Sequence, residues 1–159
     1  MGRSLPSLGP RGEGWVVLQF ALLGLAALAG TTGPAWGEPL RSVTNVVGLA
    51  LLAAGGLLVL RGLLDLRESL TPLPRPRADG RLVAHGAYRL VRHPIYGGIV
   101  IGALGYGLRT AAPAAVLVAL VLFLFFDLKS RREEAWLVDH YPDYAAYRAT
   151  TRRLIPWLY

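Results

Sequence analysis

IYGGIVIGALGYGLRTAAPAAVLVALVLFLFF, residues Ile95 to Phe126, carries a single charge, Arg109. The Arg109-Thr110 break leaves an apolar leg on each side, Ile95–Leu108 and Ala111–Phe126. Backbone N–H and C=O groups in lipid have no water to bond, so two such legs joined by a short polar break read as a helical hairpin crossing a membrane twice. The first leg has 14 residues, a length at which a re-entrant segment competes, but a hairpin needs two legs and we read it as a span.

Toward the N-terminus two more runs follow the same rule. Val43–Leu60 is uncharged up to Arg61, and Trp15–Gly30 carries no charge at all. The chain of 159 residues is 53% hydrophobic and 17% charged, and its mean hydropathy is +0.42. The expected fold is all-α, a polytopic transmembrane bundle of about four spans (15–30, 43–60, 95–108, 111–126) with a cytoplasmic helical tail over 127–159. Splitting this length into an anchor and a soluble domain would leave too few residues for a second core, so 1–159 reads as a single integral membrane domain.

The net charge of +7 could point to nucleic acid, but where the cations stand argues otherwise. Fifteen of the 17 Lys and Arg residues fall in the N-terminal tail, the 61–92 segment and the 129–153 tail, against Arg41 and Arg109 in the two opposite loops. That asymmetry places both termini and the middle segment on the cytoplasmic side of the inner membrane, with the basic excess against anionic lipid and no nucleic acid partner. No cysteine is present, which excludes disulfides and thiolate chemistry, and three histidines are too few for an imidazole cage, so no metal is expected. Ala27-Leu28-Ala29 loosely resembles a signal-peptidase site, and cleavage there would leave the downstream topology unchanged.

Between the second and third spans, Thr71–Gly80 holds three prolines and reads as a polar connector. Beyond the fourth, Leu128–Asp139 reads as a continuing helix. Pro142 suits the first turn of another, with Tyr144 and Tyr147 on one side. Arg152-Arg153-Leu154-Ile155-Pro156-Trp157 suits an interface anchor.

The densest polar stretch beside a span is Gly86 to Gly98. Proline disfavours a helical residue before it and is favoured at the first helical position, so His93 should be extended and Pro94 should open the third span. Its first turn then offers free N–H groups flanked by Arg89, Arg92 and His93, an anion site, with Tyr96 in the same turn. Gly98 and Gly102 form a small-xxx-small pair for close helix approach. The hairpin brings this turn to the face where Glu133 and Glu134 emerge, and a carboxylate beside an anion site suggests a ligand bridging them, such as a hydroxyl-bearing zwitterion. Plainer readings exist for each feature. The arginines serve as topology signals, Lys129 and Glu133 form an ordinary four-apart pair, and Tyr144, Tyr147 and Trp157 are interfacial belt residues.

Gly86-x-Tyr88-Arg89-x-x-Arg92-His93-Pro94-x-Tyr96-x-Gly98, followed by Glu133-Glu134-x-x-Leu137, Tyr141, Tyr144, Tyr147 and Arg153-Leu154-Ile155-Pro156, resembles the isoprenylcysteine carboxyl methyltransferase and phospholipid methyltransferase group of integral membrane enzymes. The resemblance covers about Arg81 to Trp157. It implies an S-adenosylmethionine-dependent methyltransferase acting on a carboxylate or amine of a lipid-like acceptor, isoprenoid or phospholipid, at the cytoplasmic membrane face. It also implies cofactor binding by Tyr88, Arg92, His93, Tyr96, Glu133 and Glu134. For the implied transfer, Arg89 or Arg92 would orient a carboxylate acceptor, and His93 or a glutamate would take the proton of an amine; Arg92 and His93 are read as catalytic and Arg89 as substrate-binding. Four candidate spans are fewer than many relatives have, and Tyr141-Pro142 stands where a Phe-Gly-like pair is common. Two rivals remain: an NADPH-dependent membrane sterol-type reductase, which carries a similar Arg-His-Pro-x-Tyr stretch, and a non-enzymatic membrane scaffold subunit. Binding of S-adenosylmethionine or of NADPH discriminates among the three.

Overall fold

The computed structural model describes residues 6, 8–69, 71, 73 and 80–159. Five helices order these residues: α1 Glu13–Ala29, α2 Leu40–Leu66, α3 Pro94–Arg109, α4 Pro113–His140 and α5 Tyr144–Thr150, with short 3-10 turns at Arg67–Ser69 and Gly86–Arg89. No strand occurs among the described residues beyond an isolated bridge between Val91 and Arg152. Each of the four apolar runs lies in its own helix. α2 and α4, at 27 and 28 residues, are long and apolar enough to cross a membrane. α1 and α3, at 17 and 16 residues, span roughly 25 Å each at about 1.5 Å per residue.

Proline stands at two of the helix starts. His93 is non-helical at φ −127°, ψ 66°, and Pro94 occupies the first turn of α3, as the sequence requires. α4 starts at Pro113, two residues later than the apolar run, because Ala111 (φ +54°) and the extended Ala112 make the turn of the hairpin. Past Phe126 the helix continues without a break to His140. Pro142 does not open α5; Tyr141 is extended, Asp143 occupies the N-cap position, and the helix begins at Tyr144. The proline-rich connector falls largely outside the described residues, as do Arg3, Arg75 and Arg77.

The four long helices stand in the spatial order α1, α4, α3, α2, each antiparallel to its neighbour. α2 and α3 pack backbone on backbone. Gly48, Gly55 and Gly62 recur every seven residues along one face of α2. A Cβ on Gly48 or Gly55 would lie 2.5 Å from the carbonyl of Gly105 or Gly98, and the reverse substitutions at Gly98 and Gly105 meet α2 at 2.6 and 2.7 Å. This is the close contact small residues permit between apolar helices. Gly102 joins Gly98 in the seam through its backbone, since a Cβ on Gly55 would lie 2.7 Å from the Gly102 nitrogen, although a side chain on Gly102 itself would point into open space. α4 closes the other side of α3 with Leu122, Phe125 and Phe126, and α1 adds Trp15 and Ala26. Outward, Val17, Phe20, Val46, Leu57 and Leu124 are 60–69% exposed, an apolar surface suited to lipid.

One end of the bundle gathers the start of α1, the end of α2, the start of α3, the polar half of α4, and α5. Twelve of the fifteen cations of the basic segments are described, and they fall toward this end; Arg41 and Arg109 fall at the other. The C-terminal segment straps across the start of α3. Arg92 and His93 donate backbone N–H bonds to the carbonyls of Arg152 and Arg153 at 2.8 and 3.0 Å, and Leu154 is fully buried. Gly97 is glycine because any side chain would collide with the Leu154 carbonyl. Asp127 ties the tail to α4 by accepting from Arg153 at 2.9 Å and from the Tyr159 hydroxyl at 2.8 Å. Trp157 stands exposed.

Candidate functional site

α5, Tyr88 of the 86–89 turn, residues 81–83 and the adjoining helix ends line a cavity of about 340 Å³, within the size range of small-molecule sites. Its positioning starts at Asp65, a buried carboxylate near the end of α2. Asp65 accepts the Ala87 N–H at 2.7 Å and pairs with Arg61 at 3.3 Å. Gly86, at φ +58°, packs directly on this carboxylate, leaving no room for a side chain. The turn thereby delivers Tyr88 to the cavity wall and leads into His93 and α3.

The two adjacent glutamates have different jobs. Glu134 is buried, and its Oε1 accepts Arg92 Nε at 2.8 Å, with His93 Nε2 at 3.3 Å and Arg153 Nε at 3.4 Å. The anion expected at the start of α3 is therefore supplied by the chain itself, and no bridging ligand is needed to join the two motifs. Arg92 is further committed to the carbonyls of Arg148 and Thr151. Glu133 turns instead into the cavity, where it accepts the Tyr96 hydroxyl at 2.8 Å and lies 3.9 Å from His93 Nδ1. The His93 ring stacks on Tyr96, and Tyr96 on Phe126, with centroids 5.4 and 4.8 Å apart. The hydrogen bond to Glu134 and the ring stacking together hold the imidazole in place.

Of the residues named from sequence, Tyr88, Arg92, His93, Tyr96 and Glu133 all line this cavity, and Glu134 braces it from behind. Arg89 stands exposed outside it. Tyr144 and Tyr147 are not belt residues. Both line the cavity, Tyr144 is 2% exposed, and Tyr147 donates to the Tyr88 carbonyl at 2.6 Å. Burial pushes the hydroxyls of Tyr88, Tyr144 and Tyr147 well above the usual tyrosine range, and the negative charge of Glu133 adds to this at Tyr88, so all three remain donors. The Tyr144 hydroxyl is buried and has no hydrogen-bond partner among the described residues.

Lys129 and Gln19 also line the cavity, and the sequence reading placed neither in the site. Lys129 does not form the expected pair with Glu133. Its Nζ donates to Gln19 Oε1 at 2.5 Å and lies 4.8 Å from the Tyr96 ring centroid. One signal was readable: Gln19 is the polar interruption in an otherwise apolar Trp15–Gly30 run. Asp65 offered no comparable signal, since its partner, the Ala87 N–H, is set by the fold.

A family model for phospholipid methyltransferases matches residues 43–144. Over 90% of its length the chain is 29% identical to the cobalt-zinc-cadmium resistance protein CzcN of Cupriavidus metallidurans, and it covers 62% of that protein. Over 72% of its length it is 33% identical to the protein-S-isoprenylcysteine O-methyltransferase of Schizosaccharomyces pombe, covering 50% of it. A probable protein-S-isoprenylcysteine O-methyltransferase of Oryza sativa subsp. japonica is 29% identical over 72% of the chain, which covers 62% of it. The chain thus spans between half and about three-fifths of the length of these relatives.

Proposed function

The chain belongs to the phospholipid methyltransferase family, and we propose that it is an integral membrane enzyme moving a methyl group from S-adenosylmethionine to a carboxylate or amine of a lipid-like acceptor. The observation that carries this is the cavity where Tyr88, His93, Tyr96 and Glu133 of the two sequence motifs converge, with a buried Tyr144 hydroxyl that has no partner among the described residues. A ligand bearing hydroxyls, an amine and a carboxylate fits that donor and acceptor set. Glu133 supplies the acceptor for ribose hydroxyls or an amino group, and Tyr144 supplies a donor.

When bound, the cofactor supplies a methyl group already activated on a sulfonium, so the protein's task is positioning and exclusion of water. Arg92 and Glu134 act as positioning residues, because their charges are spent on each other and on the C-terminal strap. His93 is the residue placed to take a proton from an amine acceptor; a carboxylate acceptor needs no base. The proposal leaves out Arg89.

In this reading the whole chain is one membrane domain. α1 to α4 form four spans, both termini are cytoplasmic, and the cavity opens at the cytoplasmic face of the inner membrane. The supporting facts are the antiparallel order of the helices, the lipid-suited outer surface and the two ends' unequal share of cations. The acceptor, isoprenoid or phospholipid, comes laterally from the lipid. The matched relatives named as methyltransferases do not favour the reductase or scaffold readings.

Calorimetric titration of the purified protein with S-adenosylmethionine and with NADPH tests the proposal. S-adenosylmethionine should bind and NADPH should not. His93→Ala and Glu133→Ala should each weaken binding by about 1.5–3 kcal/mol, the scale of a lost charge-assisted hydrogen bond. Arg109→Ala, at the opposite end, should leave it unchanged. Equal losses at all three positions would refute a site at His93 and Glu133.

A further inference from the structure

Lys129 is 1% exposed, yet it makes no ion pair among the described residues. Its Nζ has the neutral Gln19 amide oxygen at 2.5 Å and the faces of Tyr96 and Phe126 at 4.8 and 5.9 Å. No carboxylate among the described residues reaches ion-pair distance of it, and Glu133, whose charge acts on Lys129 through space, is bonded elsewhere. Glu133 takes the Tyr96 hydroxyl, and Glu134 takes Arg92, His93 and Arg153. Burying an ammonium with no counter-ion in contact is costly, and a ligand that brings one is favoured there.

The position of Lys129 says which ligand group this is. It lies one helical turn beyond the apolar run of α4, on the wall the cavity shares with Gln19 of α1. Across the cavity stand Leu63 and Leu66 of α2. α1 and α2 flank opposite sides of the α3–α4 pair and share no substantial packing, and both contribute to the cavity wall. A molecule with a hydrocarbon tail lying there would bring its head to Lys129.

We propose that Lys129, held by Gln19, is the specificity-determining residue for the acceptor and selects a tailed carboxylate over a tailed amine. This rests on the methyl-transfer reading and sharpens it. With Glu133 given to the cofactor, an amine, protonated at neutral pH, would meet Lys129 as a like charge, whereas a carboxylate pairs with it. Methylation of that carboxylate gives a neutral ester, which leaves Lys129 without its counter-ion and favours product departure.

The test needs no cofactor. Binding of radiolabelled palmitate to the full chain in a neutral detergent is competed with methyl palmitate and with hexadecylamine. The native protein should bind palmitate roughly tenfold or more tightly than either competitor, as a charge-assisted bond implies. Lys129→Gln and Lys129→Met, the second keeping the apolar stem against Tyr96, should each bring palmitate to the level of its ester. Arg152→Gln, an exposed cation at the same end, should keep the preference. Equal binding of acid and ester by the native protein, a preference for the amine, or a preference that survives both Lys129 variants would overturn the proposal. S-adenosylmethionine titration of the same samples separates the two levels. A carboxylate preference without cofactor binding would remove the methyltransferase reading and leave Lys129 as the recognition residue. Cofactor binding without the preference would do the reverse.

Discussion

Replacing each of the adjacent glutamates in turn should give opposite outcomes, although the two differ by one position in a helix. Glu134 is buried and central to two guanidinium groups and an imidazole, with Arg92 Nε at 2.8 Å, His93 Nε2 at 3.3 Å and Arg153 Nε at 3.4 Å from one oxygen. Removing one partner of a buried ion pair costs about 3–5 kcal/mol, because the remaining charges stay buried and unbalanced. Arg92 and Arg153 also carry the C-terminal strap, so Glu134→Ala should loosen the strap and the start of α3 together. For a chain of this length that loss lowers the melting temperature by roughly 6–20 °C, taking about 2–4 °C per kcal/mol. Glu133 is held by one hydrogen bond, from Tyr96, and faces the cavity. Glu133→Gln keeps the shape and an acceptor oxygen, so melting should shift by no more than about 2–4 °C for a loss near 1 kcal/mol. Its S-adenosylmethionine affinity should nonetheless fall at least tenfold. Intrinsic tryptophan fluorescence during heating, followed by calorimetry at a temperature where both variants are folded, reads the two quantities. A Glu134→Ala protein that melts like the native one, or a Glu133→Gln protein that melts as early as Glu134→Ala, would refute the division of labour.

Three further outcomes follow from the packing and the charge distribution. Gly55→Ala, whose new Cβ would lie 2.5 Å from the Gly98 carbonyl, should cost about 1–3 kcal/mol by overpacking; Gly56→Ala, which meets nothing, should be neutral or stabilising by up to about 1 kcal/mol in thermal melts. Gly86→Ala should destabilise by more than about 1 kcal/mol, since it adds a left-handed backbone penalty to a collision with Asp65, and it should also reduce cofactor affinity by displacing Tyr88. Reporter fusions after Gly37 and Arg109 should read outside and one after Tyr159 inside; an inside reading at Arg109 would remove the four-span topology.

The helices were legible because lipid simplifies the physics: four uncharged runs carry most of the fold, and the helix start at Pro94 follows from proline's ring, whereas the start of α4 at Pro113, two residues into the apolar run, is set by the turn at Ala111 and Ala112. The glycine seam was only half legible. The four-residue spacing of Gly98 and Gly102 suggested close packing, but the face that packs is decided by which glycines the partner offers, and Gly48, Gly55 and Gly62 repeat every seven. A single helix's sequence cannot say which of its small residues will find another small residue opposite.

The same limit explains what was missed at the site. His93 and Glu133 could be placed together because a hairpin has a fixed geometry, and the Tyr96–Glu133 bond follows once the two turns share a face. Glu134 and Glu133 could not be told apart, since their difference lies in the strap from residues 148 to 154, which crosses α3 only in the folded chain. Lys129 is the sharper case. Its spacing to Glu133 is that of a solvent-exposed helical pair, and on a solvated helix that pair would form. Here the helix is walled by α1 and by the cavity, so a four-residue spacing that would signal a surface pair instead places a carboxylate and an ammonium on one cavity wall. There Glu133 bonds Tyr96, and Lys129 is left to Gln19 and to a negatively charged ligand.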